Sequence, residues 1–279
     1  MQISFCNSND KEYQKNLNNL LKPIFLDFKF WYDLDLWDNN YESYSIMLND
    51  EIVSNICLYK TNILFNGIQF EALSIGAVAT KKEYRGNGYA RCIMEHIINK
   101  YPDTPMYLYA NETVLDFYPK FGFKRIFEKL PIVKYKINNE IAPRKIKFDN
   151  PKVWNYVYNK SNFSQKLDCL NTASINMFHI YWGYLKDCIY EIPELNTMVI
   201  AEQKERVLKI IGIFSLKEVS FMELSEYLPF NNVDSIEFGF MPYWSDLKFE
   251  MKAYEADPQF VRGEKCDLKD YKFPELSIT

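Results

Sequence analysis

Residues Val78 to Lys100 read VATKKEYRGNGYARCIMEHIINK, and the reading of this stretch decides the fold. It holds Gly86 and Gly88, two of only nine glycines in the chain, between an apolar run and an amphipathic one. Ala90, Ile93, Met94, Ile97 and Ile98 recur at the spacing of one helix face, and Arg91, Glu95, Asn99 and Lys100 fall elsewhere. A strand that enters a glycine turn and opens a helix leaves unpaired backbone N–H groups at the positive end of the helix dipole, a place suited to phosphate. Glycine lets an anion reach those amides and permits positive φ. The same pattern also fits a plain strand-to-helix turn with no ligand.

Upstream, KEYQKNLNNLLKPIF reads as a first helix, and YSIMLND, EIVSNICLYK and ILFNGIQFEALSIGAVAT read as consecutive strands. Asn49-Asp50 and Asn66-Gly67 supply the turns of an antiparallel meander. Downstream, YPDTP breaks the chain, MYLYA reads as a strand, and NETVLDFYPKFGF as a short helix stopped near Pro119. NNEIAPRKIKFDNP, from Asn138 to Pro151, has the composition of a linker and divides the chain into domains 1–141 and 142–279.

Beyond the linker, PKVWNYVYNK and ASINMFHIYWGYL read as helices, CIYEI, TMVIAEQ and VLKIIGIFS as strands, KEVSFMELSEYL as a helix and DSIEFGF as a strand. That order copies the first half in outline. The residues after IGIFS hold neither the glycine turn nor an arginine, so a repeat here is one stripped of its anion site.

The whole chain sets bounds on partners. Its 279 residues, 48% of them hydrophobic, can fill the cores of two domains. Lys plus Arg total 33 against 37 for Asp plus Glu, a net charge of −4 with no basic block, which speaks against nucleic acid. Six scattered cysteines without a CxxC pair, and only two histidines, predict no metal site and reduced thiols in a cytoplasmic protein. MQISFCNSND lacks the features of a secretory signal, and no apolar run is long enough to cross a bilayer, so no membrane association is expected. The sequence leaves the oligomeric state open, a homodimer included.

Two nucleotide loops are excluded by residue type. A P-loop ends in Lys-Ser or Lys-Thr, which RGNGYA lacks, and a dinucleotide fingerprint needs a third glycine. The segment instead resembles the pyrophosphate motif of the GNAT superfamily of acetyl-CoA-dependent N-acetyltransferases: Arg or Gln, two residues, Gly, one residue, then Gly or Ala. Arg85, Gly88 and Ala90 match in register, behind LSIGAVAT, which is similar to the family strand that lies along the pantetheine arm. Asn111, Phe117, Tyr118, Gly122 and Phe123 match the second family signature in order and spacing.

The resemblance implies an α/β (α+β) GNAT fold, with a mixed, mostly antiparallel central sheet flanked by helices and followed by a smaller GNAT-like domain. It implies acetyl-CoA as co-substrate, with the backbone of Arg85, Gly86, Asn87, Gly88, Tyr89 and Ala90 around the pyrophosphate. Ala77, Val78, Ala79 and Thr80 would pair with pantetheine, and Asn111 would contact that arm. Tyr118 would be the general acid for the departing thiolate. A neutral amine would attack directly, giving an oxyanion stabilised by a backbone N–H near Val78. The alternative is a non-catalytic acyl-CoA-binding regulatory module.

Within that reading, Cys92 lies inside an amphipathic helix and is no nucleophile, and His179 is a packed histidine. Glu71 and Ser74 lie on or near the strand where a base or an ordered water belongs. The acceptor is a small-molecule or peptide amine. FWYDLDLWDNNYESY, Phe30 to Tyr44, interleaves Asp33, Asp35, Asp38 and Glu42 with aromatics and suits a cationic amine. The plainer reading of the same segment is an amphipathic helix with its acids in water.

Overall fold

The computed structural model describes residues 2–6, 10–183, 187–245, 247–254, 257–266 and 268–279. Asn49 and Asp50 (φ 50° and 61°) and Asn66 and Gly67 (φ 47° and 75°) take the left-handed pair of conformations that two-residue hairpin turns need. They join β2 (Tyr41–Leu48), β3 (Glu51–Phe65) and β4 (Ile68–Thr80) into the expected meander, with β1 (Ser4–Cys6) against β2. α1 (Lys11–Leu21) starts at Asp10, whose carboxylate accepts the N–H groups of Glu12 and Tyr13, both at 3.0 Å. A short α2 (Lys29–Asp33) follows.

α3 (Tyr89–Lys100) carries the chain from β4 to β5 (Met106–Tyr109), which lies parallel to β4. Its Ile93, Met94 and Ile97 are fully buried against the sheet and its Arg91 and Glu95 are exposed, as the periodicity requires. The stretch Asn111–Phe123 differs from expectation. It forms two 3₁₀ turns, Glu112–Val114 and Tyr118–Phe121, in place of one helix. Pro119 lies in the first turn of the second, where a missing N–H breaks no ladder bond, and Gly122 at φ 81° ends it.

Two sheets organise the chain. The first runs β1-β2-β3-β4-β5-β14-β6, where β14 is Gln259–Arg262 and β6 is Lys124–Ile126, and β8 (Leu167–Cys169) extends the far end of β3. The second comprises β13 (Glu250–Ala253), β7 (Lys129–Ile137), β12 (Val233–Phe238), β11 (Val207–Ser215), β10 (Thr197–Lys204) and β9 (Ile189–Ile192) in that order. β11 and β12 are parallel and joined through α6 (Phe221–Tyr227), the same strand-helix-strand plan as β4, α3 and β5. α4 (Pro151–Tyr158) and α5 (Ala173–Trp182) precede it. The end of the expected second-half helix, Tyr184 and Leu185, lies outside the described residues.

Hydrogen bonding does not follow chain order across the expected boundary at 141. β7 precedes it and pairs in the second sheet, and β8 and β14 follow it and pair in the first. One core cluster draws Leu17, Trp31 and Trp37 together with Ile175, Met198 and Ile211. Between the sheets runs the segment 268–279. Lys272 Nζ lies 3.2 Å from Glu128 Oε2 with both side chains almost fully buried, and Glu128 Oε1 accepts the Phe273 N–H at 2.8 Å.

Candidate active site

β4 pairs with β5 only through Leu73, Ser74 and Ile75. Beyond them β4 turns away, because its register against β3 breaks: Asn55 faces Ala79 and Cys57 faces Gly76, so Ala77 and Val78 together oppose Ile56. This is a bulge, and Ala77 takes φ 48°, a strained value for a residue with a Cβ. The buried Asn55 holds it there, its Nδ2 donating to the Ala77 carbonyl at 3.2 Å. The result is a gap between the ends of β4 and β5.

The glycine turn closes one end of that gap. Arg85 Nε donates to the Thr80 carbonyl at 3.2 Å and Asn87 Nδ2 to the Tyr84 carbonyl at 3.0 Å, which fixes the turn. Gly88, at φ 78°, is the N-cap of α3, and no side chain caps this end. A Cβ at Gly86 or Gly88 would meet no atom within 4 Å. Packing therefore does not demand glycine here; positive φ and an open approach do. α6 is the opposite case: Ser220 Oγ accepts the Glu223 N–H at 3.1 Å, and the Glu223 carboxylate accepts the Ser220 N–H at 3.0 Å. That helix end is satisfied by its own anion.

The gap opens into a cleft of about 660 Å³, and Ala77, Val78, Ala79, Thr80, Arg85, Ala90, Asn111 and Tyr118 all line it. Gly86, Asn87, Gly88 and Tyr89 form the turn beside it and are absent from its lining. Tyr118 is buried, its ring within 5.3 Å of Phe117, 5.5 Å of Phe260 and 6.1 Å of Phe123 by centroids. Burial pushes its hydroxyl up to about 12, so it holds its proton at neutral pH. Asn111 Oδ1 accepts from the Thr113 N–H and hydroxyl, both at 2.9 Å, and so caps the first 3₁₀ turn.

The other candidates separate. Glu71 is exposed on β4 and outside the cleft lining. Ser74 is buried in the cleft, where its hydroxyl shares a hydrogen bond with that of Thr279. The bare Gly76 makes that close approach possible, since a Cβ there would lie 3.2 Å from Thr279 Cβ. Cys92 packs partly buried beside the α3 core. Cys57, unremarked in the sequence, lines the cleft, but burial raises its thiol and it accepts from Asn55 Nδ2 at 3.1 Å, so it is no thiolate nucleophile. His179 is half-buried, with Nε2 at 2.7 Å from the Ile278 carbonyl.

The carboxylates expected beside the acceptor lie elsewhere. Asp38 Oδ2 accepts from Tyr59 Oη at 2.6 Å and from Ser174 Oγ at 2.8 Å, a brace between the first sheet and α5. Glu42 is buried with Lys60 at 2.7 Å and accepts from Tyr44 and Tyr101. Asp33 pairs with Lys29 on the surface, and none of Asp33, Asp35, Asp38 and Glu42 lines the cleft. Strand alternation and α2 turn these acids to other faces, and the aromatics Trp31 and Tyr41 of the same segment form the wall. Phe28, from just before α2, and Phe178 and Ile175, from α5, complete it. No sequence signal placed α5 there.

A bulged strand splayed from its parallel neighbour, with an uncapped helix N-terminus at its end, is the plan of the GNAT fold. Residues 10–126 match the family described as acetyltransferase (GNAT) domain, and the chain thus carries a GNAT acetyltransferase domain. Among solved structures, Eis1 from Mycobacterium abscessus superposes with a TM-score of 0.57 at 12% identity, covering 94% of this chain and 73% of that one. A conserved protein of Enterococcus faecalis V583, titled a probable N-acyltransferase, gives 0.55 at 16% identity, with 94% and 73% covered. A GCN5-related N-acetyltransferase from Kribbella flavida gives 0.53 at 11% identity, with 93% and 70% covered. At such identities the likeness is one of fold, and it extends over both sheets. No curated protein matches the sequence. Among the described residues, no helix is long and apolar enough to cross a membrane.

Proposed function

We propose that this chain transfers an acetyl group from acetyl-CoA to a primary amine by direct attack. The observation that carries the reading is the bulge at Ala77, which opens β4 from β5 and aligns one cleft from the uncapped N-terminus of α3 to Tyr118. In this reading the diphosphate of CoA lies on the amides of the turn Arg85–Ala90, and the pantetheine arm takes the place of the missing strand along Ala77–Thr80. The Val78 amide, turned by the bulge, faces the thioester oxygen.

The amine nitrogen forms its bond to the thioester carbon, and the tetrahedral oxyanion collapses with loss of the C–S bond. The thiolate takes a proton from Tyr118, and the proton released by the new amide nitrogen leaves through solvent and restores the phenol. A buried phenol that stays protonated suits the acid role, and the raised thiol of Cys57 supports attack without an acyl-enzyme. The test is release of CoA thiol from acetyl-CoA in the presence of an amine panel. The reading requires turnover that falls by about 10²-fold or more in Tyr118→Phe with CoA affinity retained. Turnover equal to wild type in that variant overturns the role of Tyr118, and no binding of CoA overturns the whole.

A further inference from the structure

A cluster of polar side chains lies inside the first sheet, on the face that α1 covers, where a core that needed only volume would be apolar. Ser43 and Ser45 from β2 and Asn55 from β3 are fully buried. Ser43 Oγ donates to Asn55 Oδ1 at 2.7 Å, and Ser45 Oγ donates to the same oxygen at 2.8 Å. The Tyr13 hydroxyl, from α1, lies 2.9 Å from the Ser43 oxygen and 2.7 Å from that of Ser45. With both serines on Oδ1, the Asn55 amide nitrogen faces the other way and donates to the Ala77 carbonyl at 3.2 Å and to the Cys57 sulfur at 3.1 Å. A carbonyl oxygen only accepts, which fixes the amide in this sense.

The peptide between Ala77 and Val78 is one rigid plane in which C=O and N–H point in opposite directions. Whatever fixes the Ala77 carbonyl therefore fixes the Val78 N–H. Asn55 draws that carbonyl toward β3, so the N–H turns to the edge of β4 that β5 leaves unpaired beyond Ile75. We infer that Asn55 is a positioning residue for acetyl transfer: held by Tyr13, Ser43 and Ser45, it aims the Val78 amide at the thioester oxygen. The inference rests on the acetyl-transfer reading of the same cleft. The Asn55 bond restrains Ala77 at φ 48°, a conformation that a residue with a Cβ keeps only when its surroundings impose it. It also polarises the peptide, which makes the N–H a stronger donor to developing negative charge. Burying these polar groups is costly unless they are paired, and apolar side chains of the same volume would fill the space; the peptide that the cluster orients accounts for its presence.

The test reads the thioester itself and needs no acceptor. The full chain is loaded with acetyl-CoA isotope-labelled at the thioester carbonyl, infrared difference spectra record the carbonyl stretch, and calorimetry records the affinity. Wild type should hold the band at lower frequency than free acetyl-CoA. Asn55→Ala should lose most of that shift while affinity stays at the wild-type level, because in the same reading the diphosphate is held at the turn Arg85–Ala90. Asn55→Asp separates aim from packing: its ionised carboxylate cannot donate to the Ala77 carbonyl, whereas the protonated acid has the shape of the amide and can. The shift should therefore be absent in this variant at about pH 8 and return toward about pH 6, as the buried acid takes up its proton. The groups facing position 55 are the hydroxyls of Tyr13, Ser43 and Ser45 and the Cys57 thiol, with Tyr41 behind the thiol. Burial raises Tyr13, Tyr41 and Cys57, so each keeps its proton across that range. Where Asn55→Ala does not fold, Ser43→Ala with Ser45→Ala frees the Asn55 amide to turn and should reduce the shift in the same way. A wild-type band in folded Asn55→Ala, a band in Asn55→Asp that does not move with pH, or a shift lost only in step with affinity overturns the inference. So does wild type that binds acetyl-CoA without a shift, and each of these results leaves the cofactor cleft standing. Wild type that binds no acetyl-CoA overturns both.

Discussion

Gly88→Asn separates the demands of the fold from those of a ligand. Asn is among the residues that tolerate the left-handed region, and the ordinary cost of that region for a residue with a Cβ is roughly 1–2 kcal/mol. At Gly88, φ is 78° and an added Cβ meets nothing within 4 Å, so no clash adds to it. The stability loss should therefore be about 1 kcal/mol or less, read as a small shift in the urea midpoint. The ligand is affected far more. A side chain over the turn holds a diphosphate away from the amides, and two charge-assisted hydrogen bonds at roughly 1.5–3 kcal/mol each amount to about 3–6 kcal/mol. That corresponds to a loss of about 10²- to 10⁴-fold in CoA affinity. Calorimetric titration of wild type and variant with CoA measures it, and acetyl-pantetheine, which has no diphosphate, is the control. The reasoning fails if CoA binds both proteins equally, or if acetyl-pantetheine loses as much affinity as CoA.

Because burial raises the Tyr118 hydroxyl to about 12, a pH profile of kcat should show no descending limb from this group below about pH 10, and a limb between pH 7 and 9 that disappears in Tyr118→Phe contradicts the assignment. The same raised value contributes stability that is complete below pH 10 and is lost toward pH 12, so Tyr118→Phe should flatten the alkaline part of the unfolding curve. Glu128→Gln leaves the buried Lys272 with only the Glu275 carboxylate at 3.7 Å and should cost roughly 3 kcal/mol in urea unfolding, whereas Glu128→Gln with Lys272→Met should recover most of it. Burial lowers the His179 imidazole, so its contribution is present above its unfolded value and is lost as pH falls through the folded one; wild type should lose stability below about pH 6.5 relative to His179→Gln. Ser220→Ala should cost about 1 kcal/mol and leave CoA affinity unchanged, because α6 closes its own N-terminus.

Local chemistry made much of this legible in the sequence. Asn49-Asp50 and Asn66-Gly67 allow few conformations besides hairpin turns, and Ile93, Met94 and Ile97 can share one buried face only on a helix. Gly86 and Gly88 mark an open helix N-terminus for the same reason: positive φ and a bare Cα are properties of the residue itself. Pro119 misleads at the level of sequence because a proline that ends a helix and one that begins a 3₁₀ turn look alike until the neighbouring carbonyls have positions.

What only the tertiary structure decided lies far apart in the chain. The bulge at Ala77 depends on Asn55 from the neighbouring strand, and the wall of the cleft depends on Phe178 reaching Phe28 and Trp31. The exchange of β7, β8 and β14 between the sheets, and the return of Thr279 to Ser74, carry no periodic or turn signal because each depends on a partner remote in sequence. The sequence by itself determined where an anion can meet the backbone, since that rests on the φ values and side chains of a few adjacent residues. Which face Asp38 and Glu42 turned to was settled by packing, since a carboxylate goes where a partner offsets its desolvation.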